Sequence, residues 1–113
     1  MTISELVKEA HETARSNGFY DNEKDLYPSN KLIPEKLCLI HSEVSEALEA
    51  YRRGEEDFWF NDDKPEGILS ELADVLIRVG DMCGFYGWDL QDAVKEKMAY
   101  NKTRSHRHGG KRV

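Results

Sequence analysis

The chain has 113 residues, of which 34% are charged and 39% hydrophobic, and its formal net charge at pH 7 is −6. This length supports one domain with its own core, and the acidic balance argues against nucleic acid as a partner. No apolar run approaches the roughly 20 residues that span a bilayer, and no signal-peptide segment opens the chain. We therefore expect a cytoplasmic protein with no membrane partner.

Two helices are predicted in the first half of the chain. A capping box of Thr2 and Glu5 opens the first helix, which ends near Gly18 and is followed by a polar and aromatic loop. The second helix begins near Pro34, a residue favoured in a first turn, and ends at Gly54. Its predicted core stripe consists of Leu37, Ile40, Val44, Ala47, Leu48 and Tyr51.

Two further helices are predicted in the second half. The third runs over about 68–86 and is ended by Gly84 and Gly87, and the fourth begins after Asp89 as N-cap and reaches about Thr103. No strand-like alternation of useful length is present, so the fold class is all-α, a four-helix bundle.

The domain organisation follows from these helices. Residues 1–104 form a single helical domain, and residues 105–113 form a basic C-terminal tail. Cys38 and Cys83 both lie in apolar helical stretches, so we interpret them as reduced core residues and not as a disulfide or a zinc site.

Two acidic pairs are the most informative feature of the sequence. Glu43 with Glu46, and Glu71 with Asp74, are each spaced i, i+3, which places both carboxylates of a pair on one helix face. Ionised carboxylates on a core-facing helix cost free energy unless a cation or hydrogen bonds compensate them. Four converging carboxylates therefore indicate a magnesium site between two helices.

The third helix supports the same interpretation but leaves an alternative open. Its charged residues are Glu71, Asp74, Arg78 and Asp81, and their spacings of 3, 4 and 3 put them in one stripe on an otherwise apolar helix. Such a stripe faces a polar cavity or a partner. The alternative is a salt-bridge network between helices, with Asp74 paired to Arg78 and Glu71 to Lys97. Arg78 could pair with Asp74 or Asp81 and so compete with a metal, or it could orient these carboxylates.

Two other groups are candidates for substrate contacts. On the fourth helix, Lys97 and Asn101 lie where the core stripe should continue, and Arg104 follows one turn later. A basic chain end beside an acidic metal site suits a polyphosphate ligand, although a solvated tail explains the charge equally well. In the predicted loop 55–67, Trp59 is flanked by two phenylalanines and is the candidate for stacking on a nucleobase. An oligomer contact or a lid over the core is the interpretation we favour for these aromatics.

Longer stretches of the chain resemble a known family. The runs EKLCLIHSEVSEALEAYR and ELADVLIRVGDMCGFYGWDL, with the end KMAYNKTRSHRHGGK, are similar to the MazG-like family of all-α nucleoside triphosphate pyrophosphohydrolases. That family is marked by ExxE, a spacer and ExxD. Here the motif is Glu43-x-x-Glu46, 24 intervening residues and Glu71-x-x-Asp74. The resemblance covers roughly residues 30–110.

The resemblance implies a function, a cofactor and an assembly. A (d)NTP would be cleaved to the (d)NMP and pyrophosphate in nucleotide-pool control, with Mg²⁺ required and Mn²⁺ able to substitute. The four carboxylates would hold metal, and either Glu46, which we favour, or Glu43 would be the general base. Lys97, Asn101 and Arg104 would bind the phosphates. The protein would be a homodimer or homotetramer.

Three alternatives remain beside this function. A related phosphoribosyl-ATP pyrophosphohydrolase would use the same carboxylates. A non-catalytic helical interaction module would use the charges as salt bridges and the aromatics as a docking patch. A carboxylate-bridged di-iron bundle would need Glu-x-x-His on two helices, and neither Glu43 nor Glu71 is followed by histidine at that spacing.

Overall fold

A computed structural model describes residues 1–22 and 32–104, which form four helices and one small antiparallel sheet. The elements in chain order are α1 (Ile3–Ser16), α2 (Leu32–Arg52), β1 (Trp59–Asn61), β2 (Lys64–Glu66), α3 (Ile68–Tyr86) and α4 (Leu90–Lys102). The prediction of a mainly helical chain with four helices is confirmed. The predicted tail 105–113 and most of the first loop lie outside the described residues. Within the described part, no helix is long and apolar enough to cross a membrane.

Local capping chemistry sets the helix ends, as predicted. Thr2 accepts a hydrogen bond from the Glu5 amide while its own amide donates to the Glu5 carboxylate at 2.9 Å, which completes the capping box of α1. Asp89 accepts from the Asp92 amide at the start of α4. Gly87 ends α3 in the left-handed conformation, with φ 68°.

The segment predicted as a loop over 55–67 contains a hairpin. Trp59 pairs with Glu66 and Asn61 pairs with Lys64, and the connection between the strands is two residues long. Asp62 has φ 55°, a left-handed conformation that short polar side chains tolerate. Strands of three residues are too short to produce a detectable alternation of apolar and polar residues.

A close crossing of α1 over α3 depends on two glycines. A Cβ atom at Gly80 would lie 3.2 Å from the Cβ of Ala10, and one at Gly84 would lie 2.6 Å from the Cβ of His11. The prediction that Gly84 ends α3 is therefore wrong, since Gly84 lies inside the helix. Its missing side chain lets the two helix backbones approach each other.

Replacing Gly84 with alanine is expected to destabilise the protein by about 1 kcal/mol. Alanine gains helix propensity of about 1 kcal/mol, but overpacking at this distance costs about 1–3 kcal/mol because both Cβ atoms are fixed to backbone. Chemical denaturation of Gly84→Ala and wild type measures the difference. Ser45→Ala, at an exposed position of α2, is the matched control and should remain close to wild type. A Gly84→Ala protein as stable as wild type would show that α1 does not pack closely here.

The core of the single chain is thin, and part of the predicted core is exposed. Small side chains provide most of it, and no large side chain of the described residues is fully buried. On α2 the buried positions include Ala47, which belongs to the predicted stripe, and Ala50, which does not. Four other members of the predicted stripe, Leu37, Val44, Leu48 and Tyr51, are exposed in the single chain, so their prediction as core is wrong for an isolated chain. Cys38 is exposed as well, whereas Cys83 is buried and both are free thiols.

Candidate metal centre

Helices α2 and α3 bring three carboxylates together. One oxygen each of Glu43, Glu71 and Asp74 lies within 4.8 Å of the others, and all three residues are half-buried. Glu71 and Asp74 project from the first two turns of α3 at the i, i+3 spacing, and Glu43 faces them from the middle of α2. We call this group the acidic cluster. Three oxygen donors on rigid helices form a donor set of the kind that Mg²⁺ prefers.

The electrostatics of the acidic cluster indicate a shortage of positive charge. Burial raises the pKa of Glu71 above its ordinary value, and the charge of Asp74 raises it further, followed by Glu43 and Glu46. Burial, then Glu43, also raises the pKa of Asp74, and the charge of Arg78 partly offsets this shift. A divalent cation bound among these carboxylates would offset the repulsion that adds to the effect of burial on both pKa values.

Arg78 contacts the acidic cluster directly. Its Nε donates to Oε1 of Glu43 at 2.7 Å, a short charge-assisted hydrogen bond between α3 and α2. The sequence suggested Asp74 or Asp81 as partners of Arg78, because those residues lie on its own helix. The ion pair that Arg78 forms in the structure is instead with Glu43, and its charge lowers the pKa of Asp74.

A cavity of about 490 Å³ opens beside the acidic cluster. Ala14 and Asn17 of α1 form one wall, Lys36 of α2 another, and the floor near the cluster includes Glu43 and Asp74. The walls are partly apolar and partly polar, as in many small-molecule sites. The cluster therefore borders a space that can admit a ligand.

The far end of this cavity has a polar network that sequence analysis missed. The Tyr20 hydroxyl donates to both carboxylate oxygens of Asp81, at 2.8 and 2.9 Å, and His11 Nδ1 lies 2.9 Å from Asp81 Oδ1. Lys36 Nζ donates to the Tyr20 hydroxyl at 2.9 Å and lies 4.8 Å from the centre of the Phe85 ring. Asp81 thus anchors α1 and the residues after it to α3. Its place in the charged stripe was the only signal of this role in the sequence.

The other predicted site residues lie outside the acidic cluster. Glu46 is exposed one turn along α2, yet close enough to Glu71 to raise its pKa. Helix α4 packs on α1. On α4, the Nζ atom of Lys97 lies 5.4 Å from the centre of the Tyr100 ring, and Asn101 is exposed. Arg104 is half-buried, 5.7 Å from the centre of that ring.

The hairpin residue Trp59 is also away from the cluster. Its indole Nε1 donates to Glu55 at 3.0 Å, and its side chain is half-buried. Neither Trp59 nor the three α4 candidates are among the described residues that line the cavity. A single chain therefore brings together three of the predicted site residues, with a fourth nearby.

Comparison with known proteins adds no assignment. No protein-family model, no curated protein and no solved structure matches this chain. The functional argument therefore depends on the residues of the site and on the sequence resemblance described above.

Proposed function

We propose that this protein is a Mg²⁺-dependent nucleoside triphosphate pyrophosphohydrolase with a MazG-like helical arrangement. The observation that carries the proposal is the meeting of Glu43, Glu71 and Asp74 beside a cavity. These residues come from the two motifs on which the family resemblance rests. The cavity provides space next to the carboxylates for the nucleoside part of a substrate.

The donor set of the acidic cluster fits a hard divalent cation. Glu43, Glu71 and Asp74 would hold Mg²⁺, and Glu46 would contribute from the adjacent turn of α2. The metal would neutralise charge on the triphosphate and lower the pKa of an attacking water. The cluster contains no histidine among its described members, which disfavours the di-iron alternative.

A glutamate that is not fully committed to metal accepts the proton in the proposed reaction. Glu46 is the best candidate because it lies near Glu71 but outside the group of three oxygens. A water oxygen attacks the α-phosphorus and gives its proton to this carboxylate. The bond from the α-phosphorus to the bridging oxygen breaks, pyrophosphate leaves, and the nucleoside monophosphate remains.

Assembly into a homodimer or homotetramer is part of the proposal. An apolar stripe on α3 runs through Leu69, Leu72, Leu76, Gly80 and Cys83 at intervals of 3 and 4. Helix α1 packs against Gly80 and Cys83 is buried, whereas the three leucines are 44–58% exposed. A continuous stripe that is covered over only part of its length is typical of an unfilled interface. A second copy would cover the remainder.

The assembly also bears on the proposed phosphate ligands. Lys97 and Asn101 lie on α4, which contacts α1, and Arg104 follows the end of that helix. Within the described residues, none of the three lines the cavity of its own chain. We propose that oligomerisation brings α4 of another copy to the cavity, where its side chains bind the phosphates. Trp59 would stack on the substrate if oligomerisation also brings this residue of another copy to the cavity.

Pyrophosphate release from a panel of canonical and modified (d)NTPs tests the proposed reaction. We expect NMP and pyrophosphate in equal amounts with Mg²⁺, a similar product ratio with Mn²⁺, and no reaction with EDTA. Phosphoribosyl-ATP is included in the panel because a related enzyme class would act on it. A folded protein that cleaves none of these compounds would contradict the proposal and favour the helical interaction module.

A further inference from the structure

Arg78 has a position that the proposed reaction does not by itself explain. Its Nε donates to Glu43 Oε1 at 2.7 Å, so one of the three carboxylates of the acidic cluster already has a cationic partner. The same side chain lines the cavity. It therefore lies at the boundary between the cluster and the space for a ligand.

We propose that Arg78 is a resident counter-cation of the acidic cluster, which holds Glu43 in the metal-free protein and is displaced when a divalent cation binds. This inference rests on the proposed function, since it concerns the same site. It adds a residue that controls how tightly the site takes its metal. Arg78 is a positioning residue in this scheme and takes no part in bond breaking.

The charges explain why Arg78 and a divalent cation oppose each other. Three ionised carboxylates carry three negative charges, and the guanidinium neutralises one of them. A divalent cation at the cluster competes with Arg78 for the charge of Glu43 and also repels the guanidinium. The influence of Arg78 extends to Asp74, whose pKa it lowers, so the repulsion would act on more than one ligand.

The burial of the two partners indicates which one moves. The Glu43 side chain is 14% exposed, whereas the Arg78 side chain is 37% exposed and borders the cavity. An arginine side chain is long and flexible, so Arg78 can withdraw into the cavity while Glu43 stays in the cluster. In that position the guanidinium would face the ligand space.

Isothermal titration with Mn²⁺ tests the proposal without any turnover. We expect Arg78→Met to bind Mn²⁺ about tenfold more tightly than wild type, because the metal no longer has to displace a charge-assisted hydrogen bond from Glu43. Arg78→Lys keeps the charge and should remain near wild type. Arg53→Met, which removes an ion pair with Glu55 away from the cluster, is the matched control and should leave the affinity unchanged.

A second measurement follows the arginine in the wild-type protein. The Nε–H proton resonance of Arg78, assigned by its loss in Arg78→Lys, should shift when Mg²⁺ saturates the site. This experiment does not depend on the folding of Arg78→Met. A resonance that stays in place at saturating Mg²⁺ would show that the salt bridge persists and would overturn displacement.

The outcomes separate this inference from the proposed function. Equal or weaker Mn²⁺ binding by a folded Arg78→Met overturns the counter-cation role and indicates that Arg78 holds α2 and α3 together for metal binding. In that case the wild type still binds metal and the proposed function stands. A wild type that binds neither Mn²⁺ nor Mg²⁺ overturns both.

Discussion

Replacing Glu71 with glutamine is expected to reduce pyrophosphate release at least about a hundredfold while making the metal-free protein more stable at pH 7. Loss of outer-shell partners of a metal ligand already costs about 10–100-fold, so loss of a ligand itself should cost more. The stability should rise at pH 7 because glutamine removes a carboxylate whose charged form is disfavoured by burial and by the charge of Asp74.

The sign of this stability change follows from the pKa of Glu71. Burial, then Asp74, raises the pKa of this carboxyl above its ordinary value in the folded protein. A raised carboxyl pKa favours the folded state at low pH, and this contribution is lost as the pH rises through the folded-state pKa. At pH 7 the ionised carboxylate is therefore unfavourable, and glutamine removes it. The advantage of Glu71→Gln should vanish below the ordinary carboxyl pKa, where wild-type Glu71 is protonated.

Denaturant unfolding at pH 7 and at pH 3.5, with EDTA present, measures the change in stability. Glu49→Gln is the matched control, because Glu49 is exposed on α2 and pairs with Arg52 at the surface. That control should retain activity and wild-type stability. An unfolded Glu71→Gln protein would identify Glu71 as a structural salt-bridge partner and would remove it from the proposed active site.

The second large effect is expected at the exposed part of the α3 stripe. Leu76→Glu should convert the proposed oligomer into monomers. A carboxylate without a partner costs several kcal/mol in a buried interface, which weakens association by at least about a hundredfold. The leucine is 58% exposed in one chain, so the substitution should leave the monomer folded. Sedimentation equilibrium at several protein concentrations measures the association constant, and circular dichroism checks the fold.

Two further variants test which surfaces contribute to the proposed interface. Leu48→Glu places the same charge on the exposed stripe of α2 and should also dissociate the assembly if both helices contribute to it. Ser16→Glu adds the charge to an exposed position of α1 that does not line the cavity, and it should leave the mass unchanged. A wild type that sediments as a monomer at high concentration would contradict the proposed interface.

The helix ends were predicted correctly from the sequence where the interactions that set them are local. Thr2 with Glu5, Asp89 and Gly87 each set a helix end through contacts within four residues, and all these ends were predicted. The convergence of Glu43 with Glu71 and Asp74 was also expected, because carboxylates on apolar helices need common compensation.

The features that were missed depend on how the helices are rotated and packed. Helical spacing offered Asp74 and Asp81 as partners for Arg78, but the partner in the structure is Glu43, which only the packing of α2 on α3 brings near. Glycine is typical of helix ends, so Gly84 was predicted to end α3. Its role in the close approach of α1 to α3 can be recognised only from the packing of the two helices. The α2 stripe was predicted as core because apolar periodicity does not show whether a face is covered by its own chain or by another.

The cavity wall on α1 has a consequence for how proteins with this architecture could diverge. Ala14 is buried in that wall, while the carboxylates are on α2 and α3. A larger residue at this position would narrow the space without touching the acidic residues. Under the proposed function, ligand size and reaction chemistry would therefore be encoded on separate helices, so a lineage could change which molecules it accepts through single substitutions in α1 and keep the proposed catalytic residues.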